Sequence, residues 1–320
     1  MAPRLSVLLT IGGGLEYVTG HRSESRALMV KSGQTDIVYN LDPASVELLK
    51  HADNVNVDST LIPRTILIKL NAEQTALKDK RVRQALSLAI DRQGIANNIL
   101  RVPGSEANQL FGPSFQQWHQ AQLAPIERNL ARAGRLLDDA GWRLAKDGLR
   151  YQHGQPLRLS MMTYANRPEL IVIATAIQDQ WRELGVDLQV SMENASAIPM
   201  AHVRGNLQTA LIARNLGLLP DPLALLSTEF SDPQGGDWGP MNWHNTQVFN
   251  WVEQLEGSQD DAQSARLIRQ ITDEINADLP LIPVAYYVQQ SAVSTRLNGF
   301  HFDPYERSFN LSSLTLANEQ

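Results

Sequence analysis

The chain has 320 residues, 43% hydrophobic and 19% charged, with a formal net charge of −6 and no cysteine. That length holds two domains or one large one, and that composition supports a packed core rather than wholesale disorder. Net negative charge without a basic stripe argues against a nucleic-acid partner, and the lack of cysteine excludes disulfides, thiolate nucleophiles and cysteine-based zinc sites.

No apolar run approaches the length that spans a bilayer. Arg4 precedes the apolar segment Leu5–Ile11, which has the outline of a short signal h-region. Gly12, Gly13 and Gly14 break it and no Ala-x-Ala site follows, so a signal peptide is not expected here. Leu15–Thr19 alternates like a half-buried strand. A helix is expected after Ser23 through Lys31, with Gly33 suited to its C-terminal cap. Asp36–Tyr39 reads as a short strand, and Asp42-Pro43 opens a helix over Ala44–His51. Arg64–Leu70 is apolar and β-rich, hence a buried strand.

Asp79–Leu100 has helical periodicity with a break near Gly94, and Ile126–Ala140 is a second amphipathic helix stopped by Gly141. The charges from Arg132 to Arg150 are interrupted by Asp138, Asp139 and Asp147 and read as a mixed, solvated helix face. Leu157–Met162, Pro168–Leu184 and Val186–Met192 form a strand–helix–strand unit, which predicts a parallel pair joined by a right-handed crossover. Ile198–Arg204 is a short helix and Thr209–Ala213 a buried strand. Ser227–Asn245 reads as one long irregular loop with Pro233, Gly235, Gly236, Gly239 and Pro240, and with Trp238, Trp243 and His244. Helices follow at Val248–Leu255 and Ala262–Ala277, then an apolar strand at Leu281–Val288, and short strands in the tail from Leu297. Strands alternate with helices throughout, so the class is α/β.

Catalytic patterns are missing from the sequence. Its seven histidines are scattered and none forms His-x-x-x-His, and Asp237 with His244 reads more readily as two surface residues than as a shared metal site. Gly12–Gly14 lacks the Lys-Ser/Thr of a P-loop, and there is no Gly-x-Ser-x-Gly. The pairs Asp138–Asp139 and Asp260–Asp261 are adjacent, so they point in different directions and do not flank one bond. No enzyme, cofactor or metal is expected. The aromatic glycine loop suits a pocket that closes on a small polar or ring-bearing ligand, while the bland alternative is a tryptophan that plugs the loop onto the domain.

Lys80–Arg92 (KRVRQALSLAIDR) closely resembles the family-5 extracellular solute-binding proteins, the dipeptide, oligopeptide and nickel group of ABC importers. Five further segments match that family in order: Arg26–Ile37, Leu70-Asn71, Ala131–Trp142, Pro220-Asp221-Pro222 and Leu281–Tyr287. The resemblance covers roughly Leu15 to the C-terminus and implies a type II periplasmic-binding-protein fold that closes on its ligand by a hinge. It implies a partial first lobe at 1–64 with 1–13 unmatched, a complete distal lobe with its hinge strands at 65–288, and a return to the first lobe at 289–320. The chain looks like a C-terminal portion of such a protein, with exposed apolar edges that favour self-association.

The implied function is capture of a small polar ligand (peptide-like, opine or metal chelate) for delivery to an ABC importer's membrane permease, in the periplasm. The alternative is a ligand-sensing domain of a transcriptional regulator. Peptide binders of the family place an Asp before the Asp-Pro turn, yet Arg214–Pro220 carries no acid. Nickel-type members place a His about where Gln234 stands, the nearest histidine being His244. Arg214 instead suits an anionic ligand such as a carboxylate. The expected ligand contacts are Arg214, Asn215, Trp238, Trp243, His244 and Tyr286.

Overall fold

The computed structural model describes residues 5–10, 14–20, 22–165, 167–231 and 235–317. Arg4, Ile11, Gly12, Gly13, His21, Pro233 and Gln234, and the readings placed on them, lie outside these residues. Two units emerge. Unit 1 comprises the chain up to Ile62 and again from Val288, and unit 2 is Pro63–Tyr287.

Unit 1 opens with the antiparallel pair β1 (Leu5–Thr10) and β2 (Gly14–Thr19), Leu5 lying opposite Thr19. Helix α1 (Ser23–Lys31) ends as its glycine predicts: Gly33 has φ of +76° and donates to the Val30 carbonyl at 3.2 Å, while Gln34 donates to Met29 at 2.9 Å. Its Arg26 is buried and donates to the carbonyls of Gly20 (2.7 Å) and Tyr39 (2.9 Å). Strand β3 (Ile37–Val38) pairs with β1, and α2 (Pro43–Leu49) starts at a proline behind Asp42, whose side chain accepts from the Ser45 N–H at 2.7 Å. Strand β4 (Val55–Leu70) begins earlier than its apolar half suggests, Asn56–Leu61 continuing the same extended path with exposed or half-buried residues.

Unit 2 begins within β4 and continues through α3 (Lys80–Leu88) and α4 (Arg92–Gly94), the latter running into a π-helical turn at Ile95–Leu100. The expected break near Gly94 falls a few residues earlier: Ala89 caps α3, and Asp91 restarts the helix by accepting from the Gly94 N–H at 2.9 Å. Helix α5 (Leu130–Asp139) starts four residues later than its amphipathic pattern predicts, since Asn129 accepts from the Arg132 N–H and fixes the N-cap there. A small antiparallel sheet follows, unannounced by the sequence: β5 (Arg143–Leu144), β6 (Arg150–Gln152) and β7 (Gln155–Pro156). It removes Arg150 from the solvated face assigned to it. Arg150 is buried, donating to Asp138 at 2.9 Å and to the carbonyls of Trp142 and Leu184.

Next, β8 (Arg158–Tyr164), α6 (Pro168–Glu183) and β9 (Asp187–Glu193) form the expected unit, β8 and β9 being parallel from Arg158 opposite Asp187 to Tyr164 opposite Glu193. After α7 (Ala197–Val203), β10 (Thr209–Asn215) inserts parallel to β8 and antiparallel to β4. Helix α8 (Leu223–Glu229) absorbs Ser227–Glu229, shortening the expected loop from its front. Helices α9 (Thr246–Glu256) and α10 (Asp261–Asp278) close the unit, with Asp260 capping α10 by accepting from Ala262 and Gln263 rather than serving in a carboxylate pair. Strand β11 (Leu281–Ser294) carries the chain back to unit 1, where β12 (Leu297–Asn298) and β13 (Thr315–Leu316) pair.

Unit 2 holds one extensive apolar core, from Ile66 on β4 to Ala285 on β11. Among the described residues, unit 1 has two smaller ones, around Val30, Leu49 and Ala292 and around Ile37, Tyr39 and Val293. Much of Lys80–Arg92 is buried bracing for unit 2. Arg83 donates to the Asp278 carbonyl (2.9 Å) and carboxylate (3.0 Å), and Arg92 to the carbonyls of Pro283 (2.9 Å) and Ser87 (2.7 Å).

Candidate ligand-binding site

In an open α/β sheet, ligands bind beyond the carboxyl ends of the parallel strands. Those ends in unit 2 are Glu193 on β9, Tyr164 on β8 and Asn215 on β10, the last opposite Arg64 on β4. Several polar and aromatic side chains meet near them. The Tyr164 hydroxyl accepts from the Ala213 N–H at 2.9 Å, and the ring meets Trp238 edge-on at 6.5 Å. Just past β8, Arg167 donates to the Tyr287 hydroxyl at 2.8 Å and lies 5.0 Å from that ring's centroid. Arg64 lies 5.5 Å from the same centroid. Two guanidiniums against one tyrosine make a cationic, aromatic rim suited to planar anionic groups. Glu169 stands 3.9 Å from Arg167 and offsets part of this charge. Burial pushes the Tyr287 hydroxyl up to about 12, so it remains a neutral donor.

A second cluster lies under the glycine loop. Lys69, on the apolar half of β4, has no solvent exposure. Its Nζ donates to the carbonyls of Gly236 (3.1 Å) and Gly239 and stands 3.0 Å from His202 Nδ1 on α7. Desolvation pushes the Lys69 ammonium down to about 7, against the opposing pull of Glu229 and Asp237 and with Arg214 adding to the fall. Glu229 at the end of α8 packs on the loop so closely that a Cβ on Gly236 would lie 2.5 Å from its Cγ, and one on Gly239 would lie 2.7 Å from its Cβ. The glycines are therefore required by contact. Gly235 also has φ of +78°, and a Cβ there would meet the Pro240 carbonyl oxygen at 1.6 Å.

The expected contacts are dispersed. Arg214 is ion-paired with Glu229, and its buried Nε has no hydrogen-bond partner. Asn215 accepts from the Gly217 N–H at 3.0 Å and is partly exposed. Trp238 is partly buried at the Tyr164 edge. Trp243 is only 4% exposed, donates to Asp278 and sits edge-on to Phe230 and Phe249, so it plugs the loop onto the core and offers a ligand no surface. His244 is exposed, with Nε2 at 3.1 Å from Glu73, and Asp237 is exposed apart from it. Tyr286 is buried over Gly112, its hydroxyl donating to Asn108 at 3.1 Å, and burial drives its pKa up, so it belongs to the core. Among the described residues no group of three or more His, Asp or Glu is placed to hold a metal ion.

Sequence reasoning missed Arg64, Lys69, Arg167, Glu229 and Tyr287. Lys69 had a signal: a lone charge in the otherwise apolar run Thr65–Leu70 must either break the strand or find buried partners.

Known proteins share this architecture. The model of the bacterial extracellular solute-binding proteins, family 5 middle region, matches residues 13–237. The nickel-binding periplasmic protein of Escherichia coli is 24% identical over 294 residues, 88% of this chain and 54% of its own. The oligopeptide-binding protein AppA of Bacillus subtilis is 22% identical over 284 residues, 87% of this chain and 52% of its own. Among solved structures, NikA from Brucella suis in complex with Fe(III)-EDTA superposes with a TM-score of 0.85 at 21% identity, covering 95% of this chain and 62% of that one. AppA from Bacillus subtilis in complex with a nonapeptide gives 0.77 at 19% identity, covering 98% and 66%. The chain spans about half the length of the curated relatives it matches. Over that part it has the mixed α/β architecture of a type II periplasmic-binding fold. It belongs to the family-5 bacterial extracellular solute-binding proteins.

Proposed function

We propose that the chain is the ligand-engaging part of an ABC importer's substrate-binding protein, acting outside the cytoplasmic membrane and handing a small polar ligand to the permease. Unit 2 is then the distal lobe, and the residues of unit 1 belong to the first lobe. The observation that carries the ligand class is the pair of guanidiniums, Arg64 and Arg167, set against Tyr287 at the carboxyl ends of β8 and β10. Such a rim selects a ligand with a carboxylate or comparable anionic group, bidentate geometry adding to charge. A carboxylate-bearing metal chelate, an opine and the C-terminus of a peptide all meet that requirement. The chain has no acid between Arg214 and Pro220 to receive a free α-amino group, so chelates and opines rank above free-amino peptides.

Calorimetry on the protein carrying this chain, against metal–amino-acid chelates, opines, dipeptides and neutral sugars, tests the reading. Binding is expected in an anionic class and not to neutral sugars. Arg64→Met with Arg167→Met should weaken it at least about 150-fold, since each charged contact contributes roughly 1.5–3 kcal/mol. Silence across all anionic classes contradicts the reading.

A further inference from the structure

Beside the donors of the rim stands one acceptor. Glu169 lies in the first turn of α6, two residues after Arg167, and 18% of its side chain is exposed. Its Oε1 is 3.9 Å from the Arg167 guanidinium, beyond hydrogen-bond distance, and that covered oxygen has no hydrogen-bond partner among the described residues. The Glu169 charge is felt at the Tyr287 hydroxyl, where it adds to the effect of burial and is opposed by Arg167 and Arg64. A plain counter-ion would close on Arg167 and share its protons. A carboxylate oxygen that is desolvated without a donor is costly, and a charged donor arriving with the ligand recovers that cost. The carboxylate turns easily about its terminal torsion, so the covered oxygen can be presented to a donor entering on the exposed side.

The spacing points to the kind of donor. In an α-amino carboxylate the nitrogen and the nearer carboxylate oxygen lie about 3 Å apart. With that oxygen accepting from Arg167 and that nitrogen donating to Glu169, both contacts fit across the 3.9 Å gap. A peptide keeps its free amine and its C-terminal carboxylate on different residues. A metal chelate has its amine lone pair on the metal, so the nitrogen brings no ammonium. A carboxylate without an amine meets Glu169 as a like charge.

We propose that Glu169 is a specificity-determining residue of the rim, and that the ligand is an α-amino carboxylate with its amine protonated. A free amino acid meets this requirement, and an opine meets it with a second carboxylate for Arg64. The proposal rests on the reading of the rim as the anion site and narrows the ligand within it.

Calorimetry on the protein carrying this chain, in metal-free buffer near neutral pH, tests it with iminodiacetate and diglycolate. The two probes share one skeleton and two carboxylates, and differ in a protonated amine against an ether oxygen. Iminodiacetate should bind about 30-fold more tightly, within the range of one charged hydrogen bond. In Glu169→Gln, which keeps the shape and removes the charge, the preference should fall to within about threefold. Loading iminodiacetate with nickel should weaken its binding to the wild-type protein. A wild-type preference below about threefold, an undiminished preference in Glu169→Gln, or tighter binding of the nickel-loaded form overturns the proposal. If Glu169→Gln does not fold, the wild-type preference and the nickel comparison decide. If neither probe binds while another anionic class does, this proposal fails and the rim reading stands. Silence across every anionic class overturns the rim reading, and this proposal with it.

Discussion

Two buried cations brace unit 2 in opposite ways. Arg92, in the Lys80–Arg92 segment, donates to the Pro283 and Ser87 carbonyls and the Ser87 hydroxyl. Burial pushes it down only to about 9, so it stays charged at neutral pH and works as a fixed tie between α3, α4 and β11. Lys69 carries the same burden under the glycine loop, yet burial brings it down to about 7. The difference lies in the side chains: a delocalised guanidinium keeps its proton and fixes five donors in a plane, whereas a compact ammonium loses a proton when desolvated and turns about one atom. A conserved-looking family motif can thus be scaffold, while a lysine outside every motif holds the loop.

The largest effect is expected at Arg92. Arg92→Met leaves two buried carbonyls and a hydroxyl without their donor and should cost about 3 kcal/mol, read as a lower urea midpoint. That loss should be nearly constant from about pH 6 to about pH 8, because Arg92 does not titrate there.

Lys69 should behave differently with pH. Its folded pKa near 7 lies below its ordinary value, so between the two the unfolded chain binds a proton that the folded chain does not. Wild-type stability should therefore rise relative to Lys69→Met as pH climbs from about 7 to about 10, and level off below about 7. Paired denaturant titrations across that range check this. A wild-type advantage that shrinks as pH rises would contradict the burial argument.

The smallest effect belongs to unit 1. Asp42→Ala removes the acceptor for the Ser45 N–H at the start of α2 and should cost about 1 kcal/mol.

The same contrast explains what could be read in advance. The β8–α6–β9 unit was legible because alternation, Pro168 at the first helical turn and Gly185 after the last all agree, and the strands are parallel as expected. The α1 cap at Gly33 was legible for the same local reason. The site was less so. Lys69 meets Gly236 and Gly239 across 167 and 170 residues of chain, a distance no periodicity spans. Trp238 and Trp243 share one loop and one chemistry, and only tertiary packing separates the partly exposed one from the buried plug. The ion pair of Arg214 with Glu229 had no signal in the sequence, because Glu229 ends a helix within the segment read as loop. The rim of Arg64, Arg167 and Tyr287 joins β4, the residue before α6 and β11 and has no motif of its own.

The central claim is that ligand is taken at the carboxyl ends of β8 and β10 by the Arg64–Tyr287–Arg167 rim. A crystal structure of the protein bound to the tightest ligand from the calorimetric screen tests it most directly. The account predicts an anionic group of the ligand in hydrogen-bond contact with Arg64 or Arg167, near Trp238, with Trp243 and Tyr286 still buried in the core. A ligand seated with neither guanidinium in reach, or one that has drawn Trp243 away from Asp278, contradicts it.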